Sequence, residues 1–230
     1  MANKKGVIVR YLRFVCLGLM VLFAQAVSAE GGKSFWKNIR NQVKKEPDKV
    51  RLLVDRLARM DSTLTFEESA LAFYGQSYLL RDKEEPLVAA MNKLYSSASY
   101  EAAFDTAFLV LNINPLNIRA LLVSALILSR VDSSFAYGNA QDDVHYFFRR
   151  ALTLLHIVAQ TGDGSEQRPY MVTKISEEYD FLHYYLDIWD IRSQSLNMKM
   201  PCDLLTLGDS RQIYFEITRV LELEKEAWGL

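Results

Sequence analysis

The chain has 230 residues, half of them hydrophobic, with 27 basic side chains against 28 acidic ones. That composition is rich enough in apolar residues for a sizeable core, and it has no basic block to neutralise phosphates, which excludes nucleic acid as a partner. Two cysteines, Cys16 and Cys202, are too few for a disulfide-dense scaffold or a Cys-based zinc site.

The first segment reads as an address. Lys4, Lys5, Arg10 and Arg13 are followed by an apolar run over 14–24 and by Val27-Ser28-Ala29 ahead of Glu30. Basic, apolar and small segments in that order predict a secretory signal peptide over 1–29. The run is short of the about 20 apolar residues of a membrane span, so an uncleaved anchor is the lesser alternative. Cys16 follows Arg13-Phe14-Val15 rather than small residues, which disfavours lipoprotein processing. Cleavage leaves 23 of the 27 basic side chains against all 28 acidic ones and Cys202 as the sole thiol. The expectation is an exported protein, periplasmic or extracellular, with no transmembrane segment after cleavage.

From residue 34 to 159 the apolar period is helical. Phe35, Trp36, Ile39 and Val43 form one face, and Val50, Leu53, Val54 and Leu57 the next. Thr65 and Glu68 make a capping box, each satisfying a free N–H at the other's position. It opens a helix expected to bury Phe66, Ala70, Leu71, Tyr74 and Tyr78. Pro86 starts a stripe of Leu87, Met91, Leu94 and Tyr95, its missing N–H costing nothing in a first turn. Tyr100, Ala103, Phe104, Ala107 and Leu111 precede a break at Asn114-Pro115-Leu116-Asn117, after which Ile118, Leu121, Leu122, Ala125 and Leu128 resume the period. A polar loop over 132–141 leads to a long helix with Val144, Phe147, Phe148, Ala151, Leu155 and Val158. Short connections predict antiparallel pairs stacked side by side.

Beyond Thr161-Gly162-Asp163-Gly164-Ser165 the pattern changes. A short strand is expected over 170–175, then a helix capped by Ser176 with Glu177 and Glu178 in its first turn, where they complement the positive dipole end. Runs 203–207 and 212–218 flank Gly208-Asp209-Ser210-Arg211 as a β-hairpin, with Ile213, Phe215 and Ile217 on its buried side. A final helix is expected over 221–228. The fold class is α+β, mainly α: antiparallel helix pairs followed by a small antiparallel β element with a helix. The organisation is a signal peptide (1–29), a helical region (30–160) and an α+β region (161–230) packed on it as one body.

Residues 84–130 resemble a degenerate tetratricopeptide array, whose period is about 34 residues. Tyr100, Ala103, Pro115 and Asn117 stand at the expected spacings, whereas Leu87, Met91, Ala107 and Val110 replace the usual residues. Over nearly the whole chain after the leader, Asp61-Ser62-Thr63-Leu64-Thr65, Phe73-Tyr74-Gly75, Asn114-Pro115-Leu116-Asn117, Thr161-Gly162-Asp163-Gly164-Ser165, Glu177-Glu178-Tyr179, Cys202-Asp203 and Ile213-Tyr214-Phe215-Glu216 resemble landmarks of one family. That family is domain-of-unknown-function family 4919, exported proteins of Gram-negative gut bacteria. The resemblance implies export and a bacterial source, and it brings no catalytic residues.

Chemistry-bearing residues are sparse. Asp180, His183, Asp187 and Asp190 share one face if 180–190 is a continuous helix, and imidazole with carboxylates suits a transition metal. Tyr179, Leu182, Leu186 and Trp189 form an equally regular stripe beside them, so the polar set also reads as the solvated side of an amphipathic helix. Gly162-Asp163-Gly164-Ser165-Glu166 lacks the Gly-Lys-Ser ending of a phosphate loop and the alternating acids of a calcium loop, and nothing beside Cys202 activates a thiolate. His145 and His156 read as boundary residues. The expected function is therefore a non-catalytic scaffold that binds a protein or peptide, without cofactor, through Tyr74, Tyr78, Tyr95 and Tyr100, since Tyr offers apolar area with a polar tip. The alternative is a periplasmic hydrolase or metal-dependent enzyme using Asp180, His183, Asp187 and Asp190.

Overall fold

The computed structural model describes residues 29–130, 140–197 and 200–229. The leader over 1–29 lies outside the described residues except for Ala29, as does most of the polar loop over 132–141. Seven helices come first: α1 (Ala29–Lys45), α2 (Pro47–Ala58), α3 (Phe66–Leu80), α4 (Glu85–Ser96), α5 (Tyr100–Ile113), α6 (Ile118–Leu128) and α7 (Ala140–Ala159). Local chemistry sets their starts. Pro47 and Pro86 lie in the first turns of α2 and α4. The Thr65 hydroxyl accepts from the Glu68 N–H at 3.2 Å, and the Glu68 carboxylate accepts from the Thr65 N–H at 3.0 Å. The Asn117 side chain accepts from the Ala120 N–H at 2.9 Å, capping α6.

Helices α2 and α3, α4 and α5, and α6 and α7 pack as consecutive pairs. Residues 70–76 of α3 are all buried, and α6 is buried nearly all round, so these two are interior helices rather than amphipathic surface ones. Gly75 lets α3 approach α1 and α2: a Cβ there would stand 3.1 Å from Val43 and 3.0 Å from Val50. Phe66, expected inside, is 39% exposed, because it sits in the first turn of α3 ahead of the buried run.

After Gly164, whose φ of 76° disfavours a side chain, the chain forms β1 (Tyr170–Met171) and α8 (Ile175–Asp180). A π-helical turn (Phe181–Tyr185), β2 (Ile191–Asn197), β3 (Cys202–Leu207), β4 (Gln212–Glu216) and α9 (Thr218–Ala227) follow. The sheet order is β1-β4-β3-β2. Strands β3 and β4 form the expected hairpin, with Leu205 opposite Ile213. The sheet is mixed rather than wholly antiparallel: β1 lies parallel to β4 and is two residues long, because Ile175 already begins α8.

Phe181, Leu205, Phe215 and Ile217 join the same buried cluster as Trp36, Tyr74 and Leu155. Glu216 alternates with the inward-facing residues of β4 and yet is buried, because α1 covers it: it accepts from Trp36 Nε1 and from the Thr218 hydroxyl. Fully buried Arg219 ties α9 to α3, donating to the Ser77 carbonyl at 2.8 Å and lying 4.0 Å over the Tyr78 ring. Among the described residues no helix is long and apolar enough to cross a membrane.

Candidate functional site

The acidic segment around α8 is arranged differently from its sequence pattern. The helix begins one residue before Ser176, and Glu177 rather than Ser176 caps it, accepting from the N–H groups of Thr173 and Lys174 at 2.7 and 3.3 Å. It then widens into a π turn that ends at Tyr185, with Asp187 in the left-handed region at φ 57°. Asp180, His183, Asp187 and Asp190 therefore do not share one face. Asp180 is fully buried, 2.9 Å from Arg119, whereas Asp187 and Asp190 are exposed in the loop before β2. The polar stripe is thus not a solvated face. No group of three or more His, Cys, Asp or Glu side chains among the described residues is placed to hold a metal ion.

Three buried carboxyls of α8 point in separate directions. Burial pushes Glu177 up to about 7, against the hydrogen bonds from Thr173 that favour its charge. Burial also pushes Asp180 to about 7, with Arg119 opposing. Glu178 rises to about 9 through burial and then through its neighbour Asp203. The Gln194 amide joins those last two, donating to Glu178 at 3.2 Å and to Asp203 at 2.5 Å, while its carbonyl accepts from the Tyr179 hydroxyl at 2.5 Å. Glu178 and Asp203 thus form a carboxyl pair held between α8 and the β2–β3 ladder, with Glu178 protonated at neutral pH.

Ahead of α8, Lys174 closes a small polar cavity lined by Gln76, Asp82, Glu84, Asn114, Thr173 and Glu177 among others, with about 20 Å³ of free space, enough for one water. Its ammonium lies 3.1, 3.2 and 2.9 Å from Asp82, Glu84 and Glu85. Burial would lower its pKa, but Glu84, Asp82 and Glu85 raise it above the ordinary lysine value. A lysine held this firmly as ammonium is a charge clip, not a nucleophile. Asn114, from the break between α5 and α6, donates to Glu84 at 2.7 Å and accepts from Gln76 at 2.9 Å. Its place in the sequence motif is explained by this buried junction of α3, α4, α6 and α8.

The four tyrosines separate into two groups. Tyr74 is fully buried against Phe35, Trp36 and Phe73, its hydroxyl donating to the Met171 carbonyl at 3.0 Å, so it presents no binding surface. Tyr78 is half-buried between the guanidinium groups of Arg40 and Arg219. Aromatic spacing on α3 is core spacing. Tyr95 and Tyr100 instead meet at the α4–α5 turn, ring centroids 5.8 Å apart, with Arg130 stacked 5.5 Å over Tyr95 and donating to the Tyr100 hydroxyl at 3.2 Å.

A second group of rings lies at the π turn. Tyr184 is within electrostatic range of Tyr95 and Arg130, and its ring stands 5.7 Å from Trp189. Trp189 stacks on His183 at 4.3 Å with 4° between planes, and its Nε1 donates to Asp187 at 3.2 Å. Trp189, expected in the buried stripe, is 59% exposed. The end of the helix before Asp187 turns it outward. Burial, with Arg119 adding to it, lowers the His183 pKa, which favours the neutral ring in this stack. The sequence pattern contained no periodic signal for these two groups of rings, since their members come from α4, α5, the π turn and a loop.

Cys202 is buried at the start of β3, its thiol pushed up to about 12 by burial and by Glu216, which removes it as a nucleophile. His156 contacts the Tyr185 hydroxyl at 2.8 Å and Gln160 at 2.7 Å.

These features define a class: a mainly helical α+β protein with a small mixed sheet, a buried lysine clip and a set of half-buried rings from which Trp189 is exposed. The chain belongs to the family of the domain of unknown function (DUF4919), whose pattern matches residues 37–226. No curated protein and no solved structure matches it significantly.

Proposed function

We propose that this protein is an exported, non-catalytic scaffold that binds a protein or peptide partner through the band formed by Tyr95, Tyr100, Arg130, Tyr184, His183 and Trp189. One observation carries the reading: an exposed Trp is held in a fixed orientation by His183, Tyr184 and Asp187. A rigid aromatic anchor loses little entropy on binding, and Trp, Tyr and Arg dominate the energetics of protein interfaces. The engagement of Lys174 by Asp82, Glu84 and Glu85 supports the same reading, because an ammonium so held is not a free nucleophile. Export rests on the three-part pattern of residues 1–29. It is tested by mass spectrometry of the secreted or periplasmic product, which should begin at Glu30; retention of Met1 contradicts it.

The binding reading is tested by single changes Tyr95→Ala and Trp189→Ala. Both should reduce capture of a partner from the exporting cell by tenfold or more, the effect of losing about 1.4 kcal/mol. Capture undiminished by either change contradicts the band as the contact face.

A further inference from the structure

The two edges of the sheet are treated differently. At one edge β1 is two residues long, and shortness is a common protection against unwanted pairing. At the other, β2 runs for seven residues, and Arg192, Ser193, Gln194, Ser195 and Leu196 are all exposed. Both faces of the strand meet solvent, and Leu196 is 50% exposed. Strand β3 takes one side of β2, and among the described residues no backbone group pairs with the other side of 192–196. The strand contains no Pro and no Lys. Its single irregularity lies between Ile191 and Ser193, so the ladder from Ser193 onward is regular. Its protections, Arg192 and the irregularity beside it, lie at one end, and the edge beyond them is a template for another strand.

We propose that the outer edge of β2 pairs with β2 of a second copy of this chain, antiparallel about a two-fold axis at Gln194. The sequence itself selects that occupant. In this register Ser193 lies opposite Ser195 of the other copy, Gln194 opposite Gln194, and Arg192 opposite Leu196. The Ser hydroxyls hydrogen-bond across the ladder, Gln194 pairs through its backbone while its side-chain amide stays on Glu178 and Asp203, the Arg stem covers the exposed Leu, and no like charges face each other. A two-fold interface demands such self-complementarity of one patch, and closure at the dimer leaves no further β2 edge open. The pairing joins two sheets of four strands through their long edges.

Sedimentation of the purified protein over a dilution series tests the pairing. The wild-type chain should be dimeric at high concentration and dissociate on dilution. The double change Ser193→Asp with Ser195→Asp places carboxylates opposite each other twice, and it should weaken self-association by ~10-fold or more with an unchanged thermal midpoint. Mixing that chain with one carrying Ser193→Lys and Ser195→Lys should restore a dimer containing one copy of each. As a check independent of charge, a chain with Ser193→Cys mixed with one carrying Ser195→Cys should form a disulfide-linked heterodimer. A wild-type monomer at every concentration overturns the proposal. So does a dimer indifferent to the charge changes, or one that gives no mixed disulfide.

Discussion

At the residue scale, the buried carboxyls of α8 make the fold sensitive to pH in a defined direction. Glu177, Glu178 and Asp180 all have folded-state pKa values above the ordinary range, so the native chain holds protons that the unfolded chain has released. Their contribution is complete below about pH 4 and is lost as the pH rises. The loss runs through about 7 for Glu177 and Asp180 and through about 9 for Glu178. Glu84 and Asp61 are shifted down, so their contribution is present at neutral pH and lost only in acid. The thermal midpoint should therefore fall steadily from pH 5 to pH 9, and Glu178→Gln should flatten the part above pH 8. A midpoint that rises over that interval contradicts the assignment. Lys174→Met should cost about 3 kcal/mol or more in denaturant unfolding, because it strands Glu84 as an uncompensated buried charge. Tyr74→Ala should cost about 3–5 kcal/mol by emptying a fully buried site, and Tyr95→Ala, at a half-exposed one, about 1 kcal/mol or less.

At the scale of elements, the reliability of the sequence pattern follows from what shapes each one. Helices α2 and α3 were legible because local signals mark them: the spacing of Val50, Leu53, Val54 and Leu57, and the Thr65–Glu68 box. Thr65→Ala should accordingly lower stability by about 1 kcal/mol, as a lost N-cap does, measured by urea unfolding. The β3–β4 hairpin was legible for a similar reason, its turn residues standing between two alternating runs. The segment from 175 to 197 was not. Its acids read as a solvent face, but tertiary neighbours on α6 and β3 receive them, and residue spacing contains no information about neighbours far along the chain. The π turn and the left-handed Asp187 end the helix where the period of Tyr179, Leu182, Leu186 and Trp189 predicts continuation. Strand β2 has neither alternation nor a hydrophobic run, because both of its faces meet water. The candidate site was half legible: Tyr95 and Tyr100 lie in the band, whereas Tyr74 and Tyr78 belong to packing.

At the scale of the whole molecule, one core runs from α1 through the sheet, and Arg219, Glu216 and Tyr74 each bind across the boundary near residue 160. A fragment over 165–230 should not fold on its own, because Phe181, Phe215 and Ile217 lose their cover; a soluble fragment with a sharp thermal transition contradicts this. In the proposed reading the helical body positions the band, the buried charges fix α8 beneath it, and the rings are the contact face for the partner. That chain of dependence is tested most directly by quantitative mass spectrometry of proteins captured from the source cell by wild-type, Trp189→Ala and Tyr74→Phe chains, each checked for its thermal midpoint. The account predicts a partner retained by the wild-type and Tyr74→Phe proteins and lost from Trp189→Ala while its midpoint stays within a few degrees of wild type. Equal capture by all three, or a Trp189→Ala protein that loses the partner only because it unfolds, contradicts it.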